Sequence, residues 1–321
     1  MSSISRRGWP LAWLRSRTGN RASQLIARFR WRLGYDATLA TVVVLEPLVH
    51  GMLEIRLAGG ERRNVLGRST IDRIDEVVAT PPRGTKVIVI TAEPPDFCAG
   101  YDIVEASRGD VDQLMAHERN FAALRSSMIP IIVAIQGNVI GGGVELALLA
   151  DVRIATSDVK FAIPASKLGL VYSEAGAKLV VDAFGESVAR SMFLSGRVVD
   201  AEQAMTMGVV SQIVAEGQLR YEALNLAAAI ASWSPLATSG NRQILDVISG
   251  RIEADTGALH QSSFARHGAL ADNIAEFIAR SDSKSQRHGG RSAKPSSLRD
   301  VFATSDGDAA PCDGAKMSNF S

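Results

Sequence analysis

The stretch IPIIVAIQGNVIGGGVELALLADVRIA, residues 129–155, decides the fold. Its continuous apolar run at 131–135 predicts a strand that is covered on both faces of a sheet. Three glycines then open a predicted helix over 141–150, and 152–155 predicts another strand. A strand, a helix and a strand in succession form a βαβ unit with a right-handed crossover. The stretch therefore predicts a parallel sheet with helices packed against it.

The same alternation of strands and helices extends over about residues 40–165. Apolar runs and period-two alternation predict further strands at 41–45, 52–57 and 86–91. The spacing of apolar residues predicts helices over 64–78 and 111–127. From Ser173 onward the pattern predicts helices alone, over 175–184, 186–194, 201–207, 219–232 and 236–248.

The two ends of the chain differ in composition from its body. The first 35 residues contain eight arginines and no acidic residue before Asp36. Organellar transit peptides share this composition with disordered basic arms and with translated upstream extensions. We interpret residues 1–38 as a disordered basic extension and 285–321 as a disordered tail. A cytoplasmic location is the resulting expectation, and organellar targeting is the alternative.

Charge, hydropathy and cysteine content exclude several classes of protein. A net charge of +1 provides no field that would recruit nucleic acid. No apolar run reaches the roughly 18 residues that a membrane-spanning helix needs. The two cysteines, Cys98 and Cys312, form neither a disulfide framework nor a metal-binding pattern. Cys98 is expected to line the core, as free cysteines usually do.

Two glycine turns carry the chemistry. Residues 97–102 read FCAGYD, and residues 141–146 read GGGVEL. Each turn follows a predicted strand and precedes a predicted helix, so it could direct a backbone N–H group toward one point. Two such donors make an oxyanion hole, which stabilises a developing negative oxygen. The alternative is that the glycines only allow a strand and a helix to pack closely.

These residues resemble the signatures of the crotonase superfamily, which contains enoyl-CoA hydratases and isomerases. The resemblance covers about residues 40–285 and rests on four ordered motifs: 97–102, 129–155, 161–164 with 168–170, and 194–210. It implies an α/β fold, a spiral of ββα units over 39–200. A C-terminal helical region over 201–284 is expected to form a homotrimer or a dimer of trimers.

The resemblance also implies the substrate and most of the site. The substrate is an acyl-CoA thioester, and no separate cofactor is expected. Fatty acid metabolism is the expected context, while the acyl length and the pathway stay open. The backbone N–H groups of Tyr101 and Gly142 would form the oxyanion hole and stabilise a thioester enolate. The expected substrate-binding residues around them are Ala99, Gly100, Asp102, Gly141 and Tyr172. For Asp102 we expect a carboxylate that holds its turn, and for Tyr172 either a hydrogen bond in the pocket or simple packing.

The acid–base residues depart from the hydratase pattern. Glu145 matches the first of the two hydratase glutamates, but Ala165 stands where the second would follow Pro164. Glu174 is the candidate replacement, because some family isomerases carry a base near this place. Alternatively, Glu174 lies at the surface in the first turn of a helix, and Glu145 is a structural carboxylate that binds loop N–H groups.

A second departure concerns coenzyme A. Family members often have a lysine two residues after the aspartate of the first motif, where this chain has Val104. Nucleotide binding is then expected to rest on arginines at positions 56, 62, 63 and 68, and a carrier-protein thioester becomes an alternative substrate.

The sequence therefore predicts an enzyme for enolate-stabilised proton transfer, with double-bond isomerisation first. Hydration, a lyase reaction, is the runner-up. Thioester hydrolysis, decarboxylation and non-catalytic acyl-CoA binding stay open.

Overall fold

The computed structural model describes residues 41–103, 105, 121–254, 256–262 and 274. The described part contains nine strands: β1 (Val42–Pro47), β2 (Met52–Ala58), β3 (Val87–Ala92), β4 (Ile131–Ile135), β5 (Asn138–Ile140), β6 (Val152–Thr156), β7 (Lys160–Ala162), β8 (Val199–Asp200) and β9 (Gln212–Val214). Its α-helices are α1 (Arg68–Ala79), α2 (Ala122–Ser126), α3 (Gly142–Leu148), α4 (Ala165–Leu168), α5 (Glu174–Phe184), α6 (Glu186–Ser195), α7 (Ala201–Thr206), α8 (Leu219–Ser232), α9 (Pro235–Ile248) and α10 (Gly257–Ser262).

Six strands form the main sheet in the order β1-β2-β3-β4-β6-β9. Strand β1 pairs antiparallel with β2, and every other pair in this sheet is parallel. The predicted mixed α/β architecture around a parallel sheet is confirmed.

Both faces of the main sheet are covered, which explains why its strands are apolar throughout. Ile88 and Ile90 point into a core that also contains the apolar faces of α1 and α3. Val87 and Val89 point to the opposite face, where α8 packs. Helix α8 presents small residues to the sheet, namely Ala223, Ala227 and Ala231. Part of the expected helical region thus covers the sheet, and its predicted role in trimer formation stays a prediction.

A small second sheet, in the order β5-β7-β8, lies beside the glycine turns. Strand β5 pairs in parallel with β7, and Val139 also forms a parallel bridge with Cys98. The first glycine turn is therefore attached to the strand that leads into the second one.

The prediction of helices alone after Ser173 is wrong at two places. Strand β8 joins the small sheet, and β9 extends the main sheet beside β6. The sequence also gave no signal for β5, β7 and α4. These elements have two to four residues, which is too few for a periodic pattern, so tertiary pairing alone defines them.

Helix α1 begins at Arg68 rather than at the predicted residue 64. Arg63 and Asn64 both adopt left-handed backbone conformations, with φ of 55° and 53°. The buried Asn64 side chain donates to the carbonyls of Glu93 and Asp96 at 2.7 and 2.8 Å. These bonds hold a turn where apolar spacing alone suggested a helix.

Most of the predicted 111–127 helix lies outside the described residues, which show α2 at its C-terminal end. No helix in the described part is long and apolar enough to cross a membrane.

Candidate active site

The two glycine turns are in direct contact. Gly100 has φ of +91°, a conformation that side chains rarely adopt. A Cβ at this position would lie 2.7 Å from the carbonyl oxygen of Ile140 and 3.4 Å from the nitrogen of Gly142. Glycine is required at residue 100 because the second turn passes so closely.

The pairing of Tyr101 with Leu66 sets the direction of the Tyr101 backbone N–H group. Leu66 forms a parallel bridge with Tyr101, in which the Leu66 N–H donates to Gly100 O at 2.8 Å and the Asp102 N–H donates to Leu66 O at 2.9 Å. A parallel bridge uses the groups on either side of the paired residue. The Tyr101 N–H therefore points away from Leu66.

Gly142 is the first residue of α3, so its N–H has no acceptor within the helix. The preceding Gly141 has φ of +52° and donates its own N–H to Ala162 O at 2.9 Å. The ring of Tyr101 lies directly on Gly142, because a Cβ there would be 2.5 Å from Tyr101 Cε2. Both predicted donor residues thus belong to one contact between the turns.

Glu145 is the fourth residue of α3, and it is only 2% exposed. Burial raises the pKa of its carboxyl group. The hydroxyl of Tyr172, the charge of Arg125 and the hydroxyl of Tyr101 oppose that rise. Its Oε2 atom has no hydrogen-bond partner of good geometry among the described residues. The described residues thus leave one oxygen of this carboxylate unsatisfied, and the catalytic role of Glu145 stays a prediction.

Tyr172 is a close neighbour of that carboxylate. A Cβ at Gly176 would lie 3.0 Å from Tyr172 Cε1 and 3.1 Å from Glu145 Oε2. The ring also packs edge-on against Phe193, with 5.1 Å between the ring centroids. Burial and the adjacent Glu145 raise the pKa of the phenol well above its ordinary value. Tyr172 consequently stays protonated, and its O–H group is available as a hydrogen-bond donor.

Glu174 and Ala165 differ from Glu145 in their surroundings. Glu174 is the first residue of α5, and its side chain is exposed. Its neighbour Ser173 caps this helix by accepting a hydrogen bond from the Gly176 N–H at 3.1 Å. Ala165 is 4% exposed at the start of α4, so an apolar contact occupies the place of the second hydratase carboxylate.

Two residues of the first glycine turn make contacts that hold the turn, and substrate binding by them stays a prediction. Asp102 pairs with the buried Arg62 at 2.6 Å and accepts the Glu105 N–H at 3.2 Å. The expectation that this aspartate holds its turn is confirmed. Ala99 belongs to the same turn and donates its N–H to Arg63 O at 2.8 Å.

Cys98 is fully buried beside the helix that carries Glu145. Burial raises the pKa of its thiol to about 12, and its sulfur accepts the Gly100 N–H at 3.3 Å. The interpretation of Cys98 as a core-lining residue is confirmed.

The arginines expected near the nucleotide are mostly engaged in ion pairs. Arg56 lies 2.7 Å from Glu46, Arg63 lies 2.9 Å from Asp96, and Arg68 lies 2.5 Å from Asp72. Arg63 and Arg68 remain more than 40% exposed, whereas Arg62 is buried. Nucleotide binding by the exposed members stays a prediction.

The sequence did not indicate a role for two residues near the site. Gly176 looked like an ordinary residue of a helical run, yet it provides the space that Tyr172 and Glu145 share. Arg125 lies near the C-terminal end of the helix predicted over 111–127, and no local pattern relates it to Glu145. Both relationships join segments far apart in the chain, so only the folded structure reveals them.

Comparison with known proteins assigns this arrangement to a family. The family model described as enoyl-CoA hydratase/isomerase matches residues 49–265. The 2,3-dehydroadipyl-CoA hydratase of Escherichia coli strain K12 is 33% identical over 187 residues, which cover 57% of this chain and 73% of that protein. The mouse mitochondrial methylglutaconyl-CoA hydratase is 28% identical, with 81% of this chain and 88% of the relative covered.

Solved structures agree in fold. A Mycobacterium abscessus protein described as enoyl-CoA hydratase/isomerase superimposes with a TM-score of 0.67 at 27% identity, covering 74% of this chain and 97% of its own. The enoyl-CoA hydratase of Mycobacterium tuberculosis H37Rv gives a TM-score of 0.56 at 25% identity, covering 65% and 94%. The chain belongs to the enoyl-CoA hydratase/isomerase family.

Proposed function

We propose that this protein isomerises the double bond of an acyl-CoA by proton transfer through a single carboxylate, Glu145. The observation that supports the proposal best is the isolation of this buried carboxylate beside the two glycine turns. Burial raises its pKa, which brings a glutamate toward the range where it can both accept and return a proton. In the described part of the site, Ala165 and the exposed Glu174 leave Glu145 without a second carboxylate.

The N–H groups of Tyr101 and Gly142 would bind the thioester oxygen of a 3-enoyl-CoA. Glu145 would then remove a proton from carbon 2, and the electron pair would move onto that oxygen as a dienolate. The same carboxyl group would return the proton to carbon 4, which leaves the 2-enoyl-CoA and regenerates the carboxylate. One oxyanion donor typically contributes about 3–4 kcal/mol to such a transition state.

Hydration of a 2-enoyl-CoA is the second candidate, because the named relatives above are hydratases. Glu145 Oε2 and the Tyr172 hydroxyl offer an acceptor and a donor to one water molecule between them. In this version Tyr172 would orient the water while Glu145 takes its proton. The hydroxide would add to carbon 3 as the electron pair moves onto the thioester oxygen, and Glu145 would return the proton to carbon 2. Both reactions would therefore use the same oxyanion hole, and they differ in whether water adds across carbons 2 and 3 or a proton moves from carbon 2 to carbon 4.

Parallel assays of 3-enoyl-CoA and 2-enoyl-CoA substrates test the proposal. Absorbance of the conjugated thioester should rise with the former and fall little with the latter. Glu145→Gln should lower kcat by roughly 10²- to 10⁴-fold, whereas the matched control Glu174→Gln should stay within about threefold. Faster hydration than isomerisation would favour the second candidate.

A protein that binds acyl-CoA by calorimetry yet turns over neither substrate would be a binding protein. Turnover that depends on Glu174 rather than Glu145 would contradict the assignment of the base.

Three further statements belong to this proposal. We propose coenzyme A as part of the substrate and no separate cofactor. We propose a homotrimer, or a dimer of trimers, formed through the C-terminal helices. We propose a cytoplasmic location, and fusion of residues 1–38 to a fluorescent protein would reveal organellar targeting instead.

A further inference from the structure

A cavity of about 240 Å³ lies among α2, α3, α5 and α9. Its lining is rich in positive charge, because it contains four basic side chains and one carboxylate, that of Asp182. The cations are Arg125, Lys178, Arg242 and Arg251.

Two residues in the cavity wall are direct neighbours, along the backbone, of residues at the proposed reacting centre. Leu149, in its wall, donates its N–H to Glu145 O at 3.1 Å and so lies one helical turn beyond it. Ala175, also in the wall, precedes Gly176, which contacts the Glu145 carboxylate. Gly142 and Glu145 lie on α3, and Leu149 directly follows its last residue. At the helical rise, Gly142 and Leu149 are roughly 10 Å apart.

Three of the four cations already have carboxylate partners. Lys178 pairs with Asp182 at 2.7 Å. Arg242 pairs with Asp151 at 3.0 Å and with Asp246 at 2.9 Å, and Arg251 approaches Asp246 at 3.7 Å.

Arg125 differs from these three. It forms no ion pair with any described residue, and its Nε atom is buried without a hydrogen-bond partner. A half-buried guanidinium with an unsatisfied N–H is costly. The guanidinium lines the cavity, so an anion bound there would give its charge the partner that the described residues do not provide.

We propose that Arg125 binds a carboxylate at the far end of the acyl chain, so that the substrate is the CoA thioester of a dicarboxylic acid. This inference rests on the proposed function, because it takes the thioester oxygen to lie at the start of α3. The chain then runs past Glu145 toward Leu149 and ends at Arg125. A guanidinium offers two parallel N–H groups, which match the two oxygens of a carboxylate.

Calorimetric binding of saturated thioesters tests this inference without any turnover. Succinyl-, glutaryl- and adipyl-CoA are each compared with the monoacid thioester of equal length, butyryl-, pentanoyl- or hexanoyl-CoA. All six ligands carry the same nucleotide phosphates, so any difference within a pair reports the terminal carboxylate. At least one diacid should bind the unmodified protein more tightly than its monoacid partner.

The variant Arg125→Met keeps the length of the side chain and removes its charge. It should weaken binding of the preferred diacid by roughly 10- to 100-fold, the range expected for a charged hydrogen-bonded pair, and leave the monoacid unchanged. Lys178→Met is the matched control, since its ammonium lines the same cavity but is paired with Asp182. It should change both ligands by less than about threefold.

Two results would overturn the inference. One is the absence of tighter binding by the diacid at all three chain lengths. The other is an equal loss of monoacid and diacid binding in Arg125→Met, which would indicate contact with the nucleotide phosphates or a structural role. Because none of these ligands has a double bond to isomerise or hydrate, a protein inactive toward 3-enoyl-CoA would still give a result here. Failure of the proposed reaction and failure of this inference are thereby distinguished.

Discussion

The phenol of Tyr172 and the carboxylate of Glu145 share the space above Gly176. A single methyl group on residue 176 would lie 3.0 Å from Tyr172 Cε1 and 3.1 Å from Glu145 Oε2. The two side chains come from segments 27 positions apart in sequence. In this chain a tyrosine therefore lies beside the carboxylate. Ala165 occupies the position at which the resemblance to family hydratases implies a second glutamate.

Tyr172→Phe should move the acid limb of the kcat/KM profile to higher pH. The hydroxyl of Tyr172 lowers the pKa of Glu145, so its removal raises that pKa. A base that must be ionised then loses activity at a higher pH than in the unmodified enzyme. The profile is measured with a 3-enoyl-CoA between pH 5 and 9. An unchanged acid limb together with a lower plateau would mean that Tyr172 only packs against the substrate.

Glu145→Gln should make the protein more stable at neutral pH although it removes activity. The native pKa of Glu145 lies above the ordinary value of 4.5, so the folded state binds its proton more tightly than the unfolded state does. The stability that this gives is complete below pH 4.5 and is lost as pH rises through the native pKa.

The glutamine side chain cannot ionise, so the variant does not lose stability as the pH rises. Its melting temperature should therefore exceed that of the unmodified protein by a margin that grows with pH. Each kcal/mol corresponds to about 2–4 °C for a domain of this size. Scanning calorimetry from pH 4.5 to 8 measures the margin. A difference that does not vary with pH would contradict an effect of the carboxylate charge.

Gly143→Ala and Gly240→Ala should have opposite effects on stability. A Cβ at Gly143 would lie 2.7 Å from the carbonyl oxygen of Cys98 and 2.8 Å from its Cβ, so α3 would have to move off the first glycine turn. We expect a loss of about 1–3 kcal/mol and a large fall in activity. Gly240 lies within α9 with no atom inside 4 Å of the same point, and alanine there should add about 0.5–1 kcal/mol. Urea denaturation measures both, and equal changes would contradict the close contact at Gly143.

Arg220→Met should lower the free energy of unfolding, because Arg220 on α8 forms an ion pair with Glu54 in the main sheet. Glu54 is fully buried on β2, and Arg220 Nη2 approaches its Oε2 at 2.5 Å. Loss of the arginine leaves a buried carboxylate supported by the Thr91 hydroxyl. We expect a cost of about 1–3 kcal/mol, less than for a wholly buried pair because Arg220 is 53% exposed.

The control for this change is Arg190→Met. Arg190 pairs with Glu186 on the surface of α6, where both side chains are nearly 70% exposed. Its removal should cost less than about 0.5 kcal/mol. Equal losses for the two variants, measured by chemical denaturation, would show that the Glu54 contact adds nothing beyond a surface pair.

The long elements were predictable because each carries its own signal. The apolar run of β4 and the glycines before α3 were predicted close to their final bounds. The short strands β8 and β9 were not predicted, because two or three residues show no period and are held by neighbours from distant parts of the chain. At the site, the positions of Tyr101, Gly142 and Glu145 followed from motifs, whereas the burial of Glu145 did not.

The sequence by itself determined the family, the parallel sheet and the two glycine turns. These features depend on backbone conformation and apolar periodicity, and both are visible in consecutive residues. Only the tertiary structure decided that Glu174 lies exposed at the start of α5, that Tyr172 faces Glu145 and that Arg125 lines a cavity beside it. The physical reason is that the pKa of a carboxyl group, and the satisfaction of a buried cation, depend on what surrounds them in space. Those surroundings are formed by helices that are far apart in the chain.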